Sequence, residues 1–166
     1  VGMQAYWNPD GPRAYHHTVP VQLHWATGEA IRAALEEGLD VRAARVARLE
    51  RAIVQTLEPL GFTPAVAAPH RLPSVLAMTL PEGLDDAAVR DELRNQHHVS
   101  LAGGLGPTAG KIWRLGLMGE SAHPWHYQRL MTALAELLDA PDLPERFREA
   151  VARTHPERPA MVMQHA

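Results

Sequence analysis

The sequence of 166 residues contains no cysteine and only one lysine, Lys111. The absence of cysteine excludes thiol nucleophiles, disulfides and cysteine-ligated zinc, and it favours a reducing compartment such as the cytoplasm. No apolar run approaches the roughly 18 residues that a membrane span needs. Residues 1–7 show neither a basic region nor a long apolar core, so we expect no signal peptide and no membrane partner.

The sequence also lacks a strong excess of charge of either sign. Its 16 basic and 19 acidic side chains leave a formal charge of −3. This balance argues against a nucleic-acid partner, because such proteins neutralise phosphates with many basic groups. With 46% apolar and 21% charged residues, the composition is typical of a globular protein. The start on Val1 rather than methionine is typical of a chain that is a piece of a longer protein or has been processed.

Helical periodicity dominates the first third of the chain after an N-terminal arm. Residues 1–20 are broken by prolines and glycine, which predicts an extended arm. Apolar spacing of three and four residues predicts helices over 21–38 and 39–60, each ended by a glycine. The second helix carries an arginine stripe at i, i+3 spacing, which is either a solvated face or a face for an acidic partner; we favour the solvated face. The stripe comprises Arg42, Arg45, Arg48 and Arg51.

Strands and helices alternate in the remainder. Period-two alternation predicts strands over 71–81, 99–102 and 111–118. Helical spacing predicts helices over 85–93, 124–138 and 145–153, the first of them capped by Asp85 or Asp86 and the second opened by Pro124. This order of elements predicts a small α+β layer.

A glycine-rich loop covers residues 103–110. It lacks the glycine and the hydroxyl residue that a phosphate-binding P-loop requires at fixed positions. It also precedes a strand, whereas a dinucleotide fingerprint must open a helix. The glycines therefore indicate a sharp bend or a very close approach, either to a ligand or to the paired strand.

The ten histidines raise the question of a metal site. His16 and His17 are adjacent, as are His97 and His98, and neighbours on an extended chain point to opposite sides. The helix-start pair at 123 and 126 has no acidic residue at ligand spacing. We therefore expect caps, surface groups or hydrogen-bonded histidines, and no functional metal.

Arg114 is the most informative single residue. It lies among apolar residues in the strand 111–118, which contains no acidic residue. Burying a guanidinium is costly without a carboxylate or phosphate partner, so either a structural salt bridge or a ligand must satisfy it. Alternation places Arg114 on the same face as Ile112 and Gly116, whereas Lys111 faces the other way.

Three segments together resemble a known family: residues 15–18 (Tyr-His-His-Thr), residues 71–73 (Arg-Leu-Pro) and the glycine loop with its strand, residues 103–119. They are similar to the C-terminal portion of class V, pyridoxal-phosphate-dependent aminotransferases of the alanine–glyoxylate (serine–pyruvate) type. The resemblance covers residues 15–138. It implies the small domain of a fold-type I enzyme, an antiparallel sheet covered by helices. The lysine that binds the cofactor covalently would lie upstream of this chain.

The resemblance also implies roles for individual residues. Arg114 would bind the substrate α-carboxylate, which assigns it to a ligand. Tyr15 and Thr18 would bind the cofactor phosphate of the neighbouring subunit in a homodimer. The implied reaction moves an amino group from alanine or serine to glyoxylate or pyruvate, and this chain alone would be inactive.

The resemblance leaves two alternatives open and suggests three regions. A ureidoglycine–glyoxylate transaminase is one alternative, and a non-catalytic dimerisation or ligand-binding module is the other. We expect residues 1–38 to form the interface arm and a helix at the end of the large domain. Residues 39–140 would form the small domain with its connecting helix, and 141–166 a C-terminal extension without a known role.

Overall fold

The computed structural model describes residues 20–153, which divide into two compact units between Leu39 and Asp40. In the first unit, helix α1 spans Val21–Glu37, as its apolar spacing predicts. Gly38 ends the helix with a φ of 87°, and its N–H donates to the carbonyl oxygen of Ala34. The large apolar side chains of α1 are more than half exposed, namely Val21, Leu23, Trp25, Ile31 and Leu35.

The second unit contains four helices and four strands. They are α2 (Leu39–Leu57), β1 (Thr63–Pro64), β2 (Val75–Thr79), α3 (Asp86–Asn95), β3 (Ala102–Gly103), β4 (Ile112–Gly116), α4 (Pro124–Leu137) and α5 (Leu143–Arg153). No helix within residues 20–153 is both long and apolar enough to cross a membrane.

The strands form one antiparallel sheet in the order β1-β2-β4-β3. Arg114 stands at the middle of β4, where it pairs with Ala77 of β2 on one side and Ala102 of β3 on the other. The predicted α+β class with an antiparallel sheet is therefore confirmed. The predicted strand over 99–102 is shorter than expected, since only Ala102 and Gly103 pair with β4.

The core lies where the helices pack on one face of this sheet. Alternation along β4 buries Trp113 and Leu115, which are 1% and 2% exposed, while Arg114 between them stays half-buried. Burying a side chain of this size stabilises the fold by about 1.5–3 kcal/mol. The core also takes fully buried side chains from the helices, including Leu49, Ile53, Leu93, Leu134 and Phe147.

Helix α5 belongs to the same core. It packs along α4, and its Leu143, Phe147 and Ala150 are buried. The helix predicted over 145–153 is confirmed and begins two residues earlier. The part of the tail up to Arg153 is therefore structural, because its apolar stripe completes the packing of α4.

The arginine stripe of α2 is only in part the solvated face that the sequence suggested, since Arg51 is exposed whereas Arg45 is not. Arg45 is half-buried, and its Nη1 donates to the carbonyl oxygen of Ala122 at 2.6 Å. Glu50 of the same helix is buried and accepts from Nη1 of Arg71 at 2.7 Å. For Arg45 the prediction was wrong, because it considered neighbours within the helix and could not include partners distant in sequence.

Candidate functional site

The first turn of helix α3 is hydrogen-bonded to the strand that carries Arg114. Asp85 caps α3 by accepting from the N–H of Ala88, and Asp86 follows it inside the helix. Oδ1 of Asp86 accepts from the indole N–H of Trp113 at 2.8 Å. The same carboxylate accepts from Nε and Nη2 of Arg90 at 2.7 and 2.8 Å. The Arg90 hydrogen bonds lower the pKa of Asp86 and keep it ionised. Because Trp113 precedes Arg114, this cluster holds β4 in place.

The glycine loop uses its glycines for contacts within the protein. A Cβ on Gly104 would lie 1.9 Å from the carbonyl oxygen of Thr108, so only glycine fits there. A Cβ on Gly103 would lie 3.1 Å from Cζ of Arg90. Gly106 and Gly110 have φ angles of 53° and 72°, which favour glycine. The close approach at Gly104 is thus to the loop's own backbone, and it brings the chain back into β4.

Arg114 has one hydrogen-bond partner among the described residues. Its Nε donates to the carbonyl oxygen of Gly103 at 2.8 Å, across the pairing of β3 with β4. Within residues 20–153 no carboxylate pairs with its guanidinium, and its two terminal nitrogens make no hydrogen bond. The bond to Gly103 therefore orients the guanidinium and leaves its bidentate edge able to bind an anion.

A cavity of about 280 Å³ opens beside Arg114. It lies between β4, the segment before β3 and the first turns of α4. Its lining residues come from these three elements and from the turn Gly119–Ala122: His98, Val99, Ser100, Leu101, Arg114, Leu115, Gly116, Ser121, His126, Tyr127, Arg129 and Leu130. The lining combines hydroxyl, imidazole and guanidinium groups with apolar side chains, so polar groups that could orient a small ligand converge there.

Tyr127 closes one wall of the cavity. It is 7% exposed, and its hydroxyl donates to the carbonyl oxygen of Gly116 at 2.9 Å. Burial raises its pKa to about 12, so the phenol stays neutral and keeps its proton. The bond ties α4 to the end of β4, two residues after Arg114.

Of the residues that the sequence singled out, the cavity contains only Arg114 and two histidines. Lys111 is exposed and does not line it. Tyr15 and Thr18 lie outside the described residues. His98 and His126 line the cavity although the sequence gave them no role there. Within residues 20–153, no three histidine or acidic side chains cluster as metal ligands would.

Arg129 was missed by sequence reasoning. It lines the cavity three residues after His126 on α4, so the two share a helix face. That spacing was the available signal. It carried no weight because an arginine on an amphipathic helix is usually solvated.

Comparison with known proteins gives the family. No model of a known protein family matches the chain. An alanine–glyoxylate aminotransferase of Oryctolagus cuniculus is 34% identical over 134 residues, which is 80% of this chain and 34% of that protein. A (S)-ureidoglycine–glyoxylate transaminase of Bacillus subtilis is 32% identical over 136 residues, which is 82% of this chain and 32% of that protein. A crystal structure of alanine–glyoxylate aminotransferase from Nostoc sp. superposes with a TM-score of 0.71 at 36% identity, covering 82% of this chain and 36% of that one.

The chain is homologous to the C-terminal part of class V aminotransferases. It spans about a third of the length of the curated relatives it matches. Within the class V aminotransferase fold it corresponds to the C-terminal domain, so the fold expected from the resemblance is confirmed. The sheet, the glycine loop and the cavity described above are therefore features of an aminotransferase small domain.

Proposed function

We propose that this chain is the C-terminal part of a pyridoxal-phosphate-dependent aminotransferase. In the proposed reaction, alanine or serine gives its amino group to glyoxylate or pyruvate. The observation that carries the proposal is Arg114, half-buried beside a cavity, oriented by Gly103 and without a carboxylate partner among residues 20–153. A guanidinium in this setting suits the α-carboxylate that every amino acid and 2-oxo acid substrate carries.

The described residues fit the substrate side of such a site. The cavity has no lysine, and Lys111 is exposed outside it. The covalent attachment of the cofactor is therefore assigned to a lysine of the longer protein, and Tyr15 and Thr18 would hold the cofactor phosphate. When bound, pyridoxal phosphate supplies the electron sink for carbanion chemistry at the substrate Cα. The role of Arg114 is to fix the carboxylate and so orient the Cα bond that must break.

A second candidate is the ureidoglycine–glyoxylate reaction. The Bacillus subtilis relative that carries this name matches as large a share of the chain as the alanine–glyoxylate enzymes do. Both reactions use Arg114 in the same way, because both substrates carry an α-carboxylate. A donor panel of alanine, serine and freshly prepared ureidoglycine, with glyoxylate as acceptor, separates the two.

The substitution Arg114→Ala in the full-length enzyme tests the carboxylate role. Truncating a bidentate charge-assisted pair costs about 2–4 kcal/mol, or roughly 30-fold to 1000-fold in kcat/KM. Cofactor content, read from the absorbance of the bound pyridoxal phosphate, should stay unchanged. Arg114→Lys should recover little, since an ammonium lacks the planar fork. The matched control is Arg51→Ala, an exposed arginine of α2 outside the cavity.

A result that leaves kcat/KM intact in Arg114→Ala would contradict the role. So would unfolding with no selective change in amino-acid affinity, which would make Arg114 a structural residue. Circular dichroism of each variant distinguishes the two outcomes. The control variant should keep both its spectrum and its kcat/KM.

The proposal includes a cytoplasmic homodimer in which Tyr15 and Thr18 act on the partner's cofactor. Large apolar side chains of α1 are exposed, as expected of a helix that packs against a second subunit. The test mixes a Tyr15→Phe, Thr18→Ala double variant with a variant that lacks the cofactor-binding lysine. In the mixed dimer, the subunit that keeps its lysine receives an intact arm, so activity should reappear at one site. No recovery after exchange, confirmed by mass, would place both residues in their own subunit's site or in none.

A further inference from the structure

The strand that orients Arg114 is the shortest part of the sheet's edge. Strand β3 consists of Ala102 and Gly103 and lies at the end of the strand order, beside β4. The carbonyl oxygen of Gly103 accepts from Nε of Arg114 at 2.8 Å. A strand of two residues makes few ladder hydrogen bonds. The position of this carbonyl, and with it the direction of the Arg114 guanidinium, therefore depends on what else contacts Gly103.

The side chain of Arg90 on α3 makes this further contact. A Cβ on Gly103 would lie 3.1 Å from Cζ, 3.2 Å from Nε and 3.2 Å from Nη2 of Arg90. Nearly equal distances to three atoms of one planar group mean that Gly103 faces the flat side of the guanidinium. The edge of the same guanidinium is fixed, because Nε and Nη2 donate to the two oxygens of Asp86 at 2.7 and 2.8 Å.

The ion pair of Asp86 with Arg90 thus contacts both members of one cross-strand pair. Gly103 lies opposite Trp113 in the register of β3 and β4. Asp86 accepts from the indole N–H of Trp113 at 2.8 Å, while Arg90 packs on Gly103. Arg114 follows Trp113 in β4 and is bonded to the carbonyl of Gly103. The ion pair of α3 therefore supports Arg114 from its own strand and from the neighbouring strand.

We propose that Arg90 is a positioning residue for the substrate carboxylate. It does not line the cavity beside Arg114, so it acts through other residues. Its planar face holds the backbone of Gly103, and the carbonyl of Gly103 holds Nε of Arg114, which aims the two terminal nitrogens at the carboxylate. This inference rests on the proposed function, because it takes the role of Arg114 from there. It adds a residue of α3 to those on which substrate binding depends.

A double-mutant cycle on the full-length enzyme with its cofactor tests whether Arg90 acts through Arg114. Arg90→Ala should lower kcat/KM for alanine about 10-fold, because a small misplacement of a substrate-binding group is costly. In an Arg114→Ala background the same substitution should change kcat/KM by less than about 2-fold, since no guanidinium is left to orient. The matched control is Arg94→Ala, an exposed arginine on the same helix, which should change kcat/KM in neither background.

The substitution Arg90→Lys keeps a cation beside Asp86 but lacks the planar face. It should fold even if Arg90→Ala does not, and it should still lower kcat/KM for alanine about 5-fold or more. Full kcat/KM in Arg90→Lys would overturn the proposal, because the charge alone would then suffice. Equal losses from substituting Arg90 in the two backgrounds would overturn it too, by showing that Arg90 acts independently of Arg114.

The same variants keep this proposal apart from the proposed function. If Arg114→Ala alone leaves kcat/KM for alanine intact, the proposed function fails and the positioning role fails with it. If Arg114→Ala lowers kcat/KM while Arg90→Ala and Arg90→Lys do not, the proposed function stands and only the role of Arg90 is refuted.

Discussion

The carboxylate of Asp86 is the group whose removal should most clearly test how β4 is held. In the substitution Asp86→Ala, three hydrogen bonds disappear, one from the indole N–H of Trp113 and two from Arg90. Trp113 is 1% exposed, so water cannot replace its lost acceptor. A buried donor left without a partner costs about 1–3 kcal/mol.

Losing the ion pair with Arg90 should lower the free energy of unfolding by less than losing the indole hydrogen bond does. The side chain of Arg90 is 28% exposed, and its guanidinium can partly return to solvent. We therefore assign that pair about 0.5–1 kcal/mol, as for exposed ion pairs. The free energy of unfolding should fall by about 1.5–4 kcal/mol in Asp86→Ala. Asp86→Asn keeps an acceptor for the indole and should lose about half of that.

Urea unfolding followed by near-ultraviolet circular dichroism measures the change. The matched control is Asp91→Ala on the same helix, where the partner is Arg94 and both side chains are about 60% exposed. We expect Asp91→Ala to lower the free energy of unfolding by less than about 0.5 kcal/mol. Equal destabilisation by the two substitutions would refute the reasoning, because it would show that burial of the indole bond contributes nothing.

The pH dependence follows from the lowered pKa of Asp86. Its usual value is 3.8, and hydrogen bonding from Arg90 holds it lower in the folded protein. At a pH above the pKa that Asp86 has in the unfolded chain, the ionised carboxylate therefore contributes its full stabilisation to the fold. That contribution disappears as the pH falls through the lower, folded pKa. The stability difference between the native protein and Asp86→Asn should therefore shrink below about pH 3.8.

Three further predictions concern the glycine loop, α4 and the lysine. Gly104→Ala places a Cβ 1.9 Å from the carbonyl oxygen of Thr108 and should lower the free energy of unfolding by about 2 kcal/mol or more. Gly28→Ala, in open space on α1, should raise it by about 0.5–1 kcal/mol. Thermal unfolding of the two variants measures the difference. Tyr127→Phe removes the hydrogen bond to Gly116 and should lower the free energy of unfolding by about 1 kcal/mol. The stability of the native protein should fall above pH 10, because the phenol of the unfolded chain ionises there, whereas that of the folded protein has a pKa of about 12. Borohydride reduction with pyridoxal phosphate, followed by peptide mapping, should give no stoichiometric label on Lys111, and such a label would contradict its orientation away from the site.

Local patterns in the sequence were sufficient for the elements and for much of the core. Alternation along 111–118 correctly predicted that Arg114 shares a face with Ile112 and Gly116, because side chains of a strand alternate whatever the neighbouring strands are. It did not predict that the opposite face, with Trp113 and Leu115, is the buried one. The cap at Asp85 and the proline at the start of α4 also follow from backbone rules that act over one turn. Such rules need no knowledge of the rest of the fold.

Contacts between distant residues were not predictable in this way. Asp86 and Trp113 are 27 residues apart, and Arg45 reaches a carbonyl 77 residues away. Both bonds depend on how the helices pack on the sheet, which periodicity within one element does not determine. For the same reason Glu50, an apparent surface acid, is buried against Arg71.

For Arg114, local sequence patterns predicted one property, and only the register of the sheet shows the other. Its apolar neighbours and the absence of acid in its strand correctly predicted that it needs a partner from elsewhere. The partner of its Nε is the carbonyl of Gly103, which only the register Ala102 opposite Arg114 brings within reach. A single carbonyl satisfies one of its five donors, so the others are available to an anion. Within the described residues no salt bridge accounts for Arg114, and this observation is the basis of its proposed role as a carboxylate-binding residue.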